Sequence, residues 1–211
     1  MLRVNLSLLL LICMVAVQAQ YAGFKGVSDL GRFKELLAAS AKNTRSIKSD
    51  FVQEKNLSLL SEKIVSEGKF WFKKDNKVRM EYTQPFQYLM IINQNNVYIK
   101  DGHKENKIST KSNKLFQQIN KITIDCIQGN VLDNPEYKVK LFENSQSFLI
   151  ELSPSAKALK EFFKNVNILV AKKDYSVTKI ELHEQSGDKT VISYLNKELN
   201  ADLPDSLFAI K

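Results

Sequence analysis

From Ser46 onward the apolar residues fall two positions apart, in short runs separated by turn-forming residues, and this period constrains the chain more than any other feature. Ile47 and Phe51 form the first run. Ile64, Phe70 and Phe72 follow, then Val78, Met80 and Tyr82, then Tyr88, Met90 and Ile92, then Val97 and Ile99. Each set falls on one face of an extended segment. Asp75-Asn76, Asn95-Asn96 and Asp101-Gly102 supply turns between them. After Pro135 the same period resumes in YKVKLFE, SFLIELS, VNILVAKK, VTKIELHE and KTVISYL. Such a chain buries one side of an antiparallel meander and leaves the other wet.

Helical signals are few. VSDLGRFKELLAASAK offers Ser28 or Asp29 as an N-cap and spaces Leu30, Phe33, Leu36 and Leu37 as an amphipathic helix does. In KSNKLFQQINKITIDCIQGNVLDNP, Leu115, Ile119, Ile122 and Cys126 recur at helical spacing, which predicts one helix or two short ones over roughly residues 112 to 128. The β-branched Ile122, Ile124 and Val131 leave a strand over part of that stretch open. PSAKALKEFF reads as a helical turn started by Pro154. The sum is a mainly β chain of about eleven strands with two or three helical pieces.

A meander of that size must curl. Its concave apolar face is too large for these helices to fill as a tight core. The expected fold is therefore an incomplete antiparallel β-barrel with a helical lid over an apolar cavity, a shape suited to an apolar ligand.

The first nineteen residues read as a secretory signal: Arg3 is their one charge, apolar residues dominate positions 8 to 17, and VQA closes the run with small residues. A membrane span needs about 20 apolar residues, more than stand here. Ile12 precedes Cys13, so no lipoprotein signal is formed. Cleavage after Ala19 leaves residues 20 to 211 as one domain, unlipidated and soluble in the periplasm, with Cys126 as its one cysteine. A lone thiol makes no internal disulfide, and within ITIDCIQG it reads as a small buried apolar residue.

The 31 Lys and Arg against 23 Asp and Glu give a net charge of +8, or +7 without Arg3. The lysines are dispersed and alternate with apolar residues, as in KVKLF, so they read as the wet side of the sheet and predict no nucleic-acid partner. Catalysis finds no support. His103 in KDGHKEN and His183 in IELHEQ are the two histidines, and neither has a spaced partner for nucleophilic or metal chemistry. Neither a phosphate-cradling glycine loop nor a GxSxG turn is present, so no cofactor and no metal is expected.

Four stretches carry a family resemblance. IKSDFVQEKN, SEGKFWFKKDNKVRMEYTQP, VTKIELHEQSGDKT and LPDSLFAI stand in the order and spacing of the outer-membrane lipoprotein carriers, the LolA-like proteins. The match runs from about Val27 to Ile210, and no single motif in it is very specific. The resemblance implies an incomplete barrel whose helical lid covers an apolar cavity, and a monomeric carrier that performs no chemistry. It also implies acylated lipoproteins or other lipid cargo, an inner-membrane releasing complex as donor and an outer-membrane acceptor. By position it puts Phe70, Phe72, Val78, Met80, Tyr82, Met90 and Ile92 against acyl chains, and Leu115, Phe116 and Ile119 in the lid. Where the family has an arginine that holds the lid shut, this chain has Lys74, followed by Asp75 instead of proline, so the latch is a point charge without a planar fork. Arg79 matches another basic position, with a solvent-facing or salt-bridged role.

Burial of an acyl chain gains about 0.8 kcal/mol per methylene, so a carrier must hold chains loosely enough to release them. Met80 and Met90 suit such adaptable packing. The same residues could also form an ordinary dry core. On the same fold the alternative function is a module that senses lipids or lipoproteins, or a carrier for another acylated product.

Overall fold

In a computed structural model, residues 21, 23–94, 96–102, 104–109, 121–122 and 124–210 are described. The chain enters through β1 (Lys25–Gly26) and α1 (Leu30–Asn43), then runs as a meander through β2 (Ser46–Leu57), β3 (Glu62–Lys73), β4 (Lys77–Gln84), β5 (Tyr88–Asn93), β6 (Asn96–Asp101) and β7 (Lys104–Ser109). Helix α2 follows at 121–122 and 124–128, with a 3-10 turn at Asn130–Asp133. A second meander comprises β8 (Tyr137–Glu143), β9 (Ser147–Pro154), β10 (Phe163–Ala171), β11 (Val177–Glu184) and β12 (Lys189–Leu199), with the single helical turn α3 (Lys157–Lys160) between β9 and β10. The chain ends on a 3-10 turn at Asp205–Phe208.

All twelve strands form one antiparallel sheet, in the order β1-β8-β9-β10-β11-β12-β2-β3-β4-β5-β6-β7. Pairing of β12 with β2 joins the two meanders, and β1 and β7 are left as unclosed edges. The expected incomplete barrel of about eleven strands is the observed fold, with the two-residue β1 as an added edge.

Local chemistry explains the boundaries. Asp29 caps α1 by accepting the Arg32 N–H at 2.8 Å, and Thr44 ends it by returning its own N–H and hydroxyl to the Ser40 carbonyl, both at 2.9 Å. Between β3 and β4, Asp75 and Asn76 take left-handed backbone with φ of 69° and 58°, which short polar side chains tolerate. On β3, Gly68 is required by contact: a Cβ there would lie 2.1 Å from the Glu81 carbonyl oxygen and 2.7 Å from the Phe51 ring.

Three apolar clusters follow. The first packs Phe33 and Leu37 of α1 and Ile122 and Cys126 of α2 against the inner face of β8–β11, with the Phe33 and Phe148 rings 4.3 Å apart. The second covers the inner face of β2–β6 and β12. The third lies on the outer side, where Leu203 and Phe208 of the C-terminal segment pack on Ile91 and Tyr98.

Several sequence expectations need correction. Leu30 is 49% exposed because the helix buries its stripe through Phe33 and Leu37. Ile64 is 40% exposed because it lies on the part of β3 that pairs with β2 alone, before the pairing of β3 with β4 begins at Glu67. The described residues of the 121–128 stretch are helical, which removes the strand alternative for that part: Ile122 and Cys126, four apart, both reach the core, and residues 112 to 120 lie outside the described residues. Pro154 ends β9 instead of starting a helix, and Ala156 is the N-cap of α3. Leu115, Phe116 and Ile119 lie outside the described residues, as does His103.

Candidate functional site

Strand register brings the predicted cavity residues together. Ile47, Phe72, Val78, Ile92 and Val97 stand opposite one another across β2 to β6, and Phe70, Met80, Met90 and Ile99 form the next row. Phe51, Gly68, Tyr82 and Tyr88 form a third. Side chains in register on one face pack against each other directly. Phe70, Phe72, Val78, Met80 and Ile92 are buried, with Tyr82 and Met90 partly buried beside them.

Aromatic rings fill much of this face. Phe51 meets Tyr82 edge-on at 4.9 Å, Tyr82 meets Tyr88 at 5.6 Å, and Phe70 meets Tyr194 at 5.2 Å. Tyr82 donates its hydroxyl to Gln53 at 3.0 Å, and burial, with the nearby Tyr88, pushes its pKa above the usual tyrosine range.

Open space remains where α1 meets the sheet. A crevice lined by Leu37, Ile47, Phe70, Ile180, Tyr194 and Lys197 has a volume of about 30 Å³. That is room for roughly one or two waters, far below the ~300–1,000 Å³ of a ligand pocket. Among the described residues, the aromatic rings, with α1 and α2 packed on the β8–β11 half, take up much of the concavity. Of the seven predicted cavity residues, Phe70 lines the crevice. Tyr82 borders a separate open hollow of about 280 Å³ at the β4–β5 rim.

The turn carrying Lys74 touches both helices. Lys74 Nζ donates to the Lys42 carbonyl at 2.6 Å, in the last turn of α1, and Asn76 Oδ1 accepts from Gln128 of α2 at 3.2 Å. A cation at a helix C-terminus is favoured by the helix dipole. The sequence marks Lys74 from the family pattern, but its partner helix is visible only in three dimensions. Arg79 lies on the outer face, bonded to Glu81 at 2.7 Å and stacked over Trp71 at 5.6 Å, the salt-bridged role expected.

The remaining reactive groups do not converge. His183 lies beside Glu181 and the Asn167 amide, at 3.7 and 3.4 Å, on the face opposite Ile180 and Leu182. Cys126 is buried, and desolvation raises its thiol pKa, the setting of an inert apolar residue. Among the described residues no His, Cys, Asp or Glu cluster could hold a metal ion. No helix among them is long and apolar enough to cross a membrane. Sequence reasoning missed Lys197; its signal is the out-of-phase YLNKEL at the end of β12.

An open antiparallel half-barrel with helices packed on its apolar inner face is the class of fold these elements define. Within it, the family described as outer membrane lipoprotein carrier protein LolA matches residues 42–211, and this chain belongs to that family. Two solved structures support the fold, and a third is similar at a lower score. MucB shares 14% identity at a TM-score of 0.52, over 88% of this chain and 64% of that one. An uncharacterized conserved protein from Thermus thermophilus shares 9% at 0.51, over 83% and 91%. A LolA superfamily protein from Nitrosomonas europaea shares 11% at 0.44, over 84% and 97%. No curated protein matches the chain in sequence.

Proposed function

We propose that this chain is a periplasmic carrier that takes acyl chains of lipoproteins onto the inner face of its sheet and passes them towards the outer membrane. An inner-membrane complex supplies the cargo and an outer-membrane acceptor removes it. Residues 1–19 are cleaved as a signal peptide, and residues 20–211 act as one monomeric domain that binds without catalysing a reaction. Membership of the carrier family supports the reading. The observation that carries it is the crevice between α1 and the sheet, which Phe70 lines and whose wall is mainly apolar.

A crevice of about 30 Å³ holds no acyl chain, so uptake requires α1 to lift. Among the described residues, few polar contacts hold α1 to the rest of the chain. Besides the Lys74 bond, the Ser40 hydroxyl donates to the Asp174 carbonyl at 2.9 Å and Lys34 meets Asp133 at 2.9 Å. Lifting α1 exposes Phe33 and Leu37, and an incoming chain at about 0.8 kcal/mol per methylene offsets that loss. Weak net binding then permits release.

The test is fluorescence of N-phenyl-1-naphthylamine with the purified chain, together with mass spectrometry of lipid carried through purification from the host envelope. Binding is expected, and Phe70→Lys and Met80→Lys should weaken it at least tenfold. A chain that binds no dye and carries no lipid would end the carrier reading, and unaltered binding by M80K would remove Met80 from the site.

A further inference from the structure

The crevice under α1 is apolar along most of its wall, but among the described residues one cation reaches into it. Lys197 lines it beside Ser40, Thr44 and Ser176. Strand alternation does not account for that direction. Tyr194 faces the crevice and Leu195 faces away, 47% exposed, so an unbroken strand would turn position 197 outward. The register shifts between Leu195 and Glu198, and Asn196 takes a left-handed φ of 50°. This bulge sends the Asn196 amide out to Asp50 at 2.9 Å and turns Lys197 inward with Leu199.

The ammonium so placed meets only neutral oxygens. It donates to the Ser176 hydroxyl and to the Val177 carbonyl, the latter at 2.9 Å. Among the described residues no carboxylate lies within ion-pair distance of it. Asp174, the acid nearest in effect, spends Oδ1 on the Ser176 N–H at 2.9 Å and hydroxyl at 2.6 Å. Burial lowers the Lys197 pKa, with Asp174 opposing. A half-buried cation facing apolar walls is costly without an anion, and an anion brought by a ligand would offset that cost. Among the described residues no acceptor takes the third donor of the ammonium, which leaves that donor for the ligand.

We infer that the crevice binds a single-chain amphiphile with a singly charged anionic head, a carboxylate or a phosphodiester, its head on Lys197 and its chain over Ile47, Phe70 and Tyr194. The inference rests on the acyl-binding reading and narrows the head group that reading leaves open. One compact ammonium suits contact with a single anionic oxygen, which both heads provide.

Displacement of N-phenyl-1-naphthylamine from the full chain by dodecanoate, dodecanol and a C12 lysophosphatidylglycerol, each below its micelle concentration, tests it. In the native protein at least one anionic probe should displace dye at a tenfold lower concentration than dodecanol. The probe that does so assigns the head group. In Lys197→Met the preference, read as the ratio of the dodecanol midpoint to the anionic one, should vanish, and Lys197→Arg should retain it. Lys197→Gln is run alongside, so that the outcome does not depend on the folding of one variant. Equal midpoints in the native protein, or a preference that survives in both neutral variants, overturn the inference and leave acyl binding intact. If none of the three displaces the dye, the acyl-binding reading itself fails, and this one with it.

Discussion

Single residues decide how closely the inner face can pack. Gly68 leaves the space that the Phe51 ring occupies, and its missing Cβ would otherwise lie against the Glu81 carbonyl. Gly68→Ala should therefore destabilise the fold by about 2–3 kcal/mol through overpacking, read as a lower urea midpoint at unchanged slope. Glu143 acts on the other half. Hydrogen bonding to Lys172 at 2.7 Å, then to the N–H and hydroxyl of Ser28 at 3.0 and 2.8 Å, lowers its pKa from 4.5 to about 2. A depressed carboxylate stabilises the fold above its unfolded pKa and loses that contribution as the pH falls through its folded value. The urea midpoint should thus drop between pH 4.5 and about pH 2, and Glu143→Gln should make that drop shallower. An unchanged slope in the variant would exclude Glu143 as a source of acid sensitivity.

Among the elements, α1 is the piece that the proposed uptake lifts. Its apolar stripe is narrow, with Phe33 and Leu37 buried and Leu30 exposed, and Lys74 ties its last turn to the β3–β4 turn. Lys74→Ala should reduce the local opening free energy of α1 by about 0.5–1 kcal/mol. Amide hydrogen exchange is the measurement: the α1 amides should exchange faster, and those of β9 and β10 should not change. Equal acceleration in all three elements would show a global loss of stability and dismiss Lys74 as a specific latch.

For the whole molecule, a ligand that binds only the lifted state binds more weakly by the fraction lifted. Removing the latch raises that fraction. K74A should therefore bind N-phenyl-1-naphthylamine about two- to fivefold more tightly than the native chain, the same 0.5–1 kcal/mol seen from the ligand's side. Unchanged affinity would mean that dye reaches its site without movement of α1. In the proposed mechanism, rings such as Phe70 and Tyr194, which pack together when α1 is down, become the wall of the site when it lifts.

The sheet was legible from the sequence because a two-residue period writes the buried face of each strand into the order of residues, as in Val78, Met80 and Tyr82. The start of α1 at Asp29 was equally local, being a matter of one side chain and one N–H. What fills the concavity was not legible, since periodicity marks a face as apolar without saying what covers it. Only the tertiary structure set the Phe51 ring over Gly68, brought Lys74 to the end of α1, and turned Lys197 into the crevice by a bulge. Each of those depends on residues at least seventeen positions apart in the chain or on a break in register, and neither has a period to read.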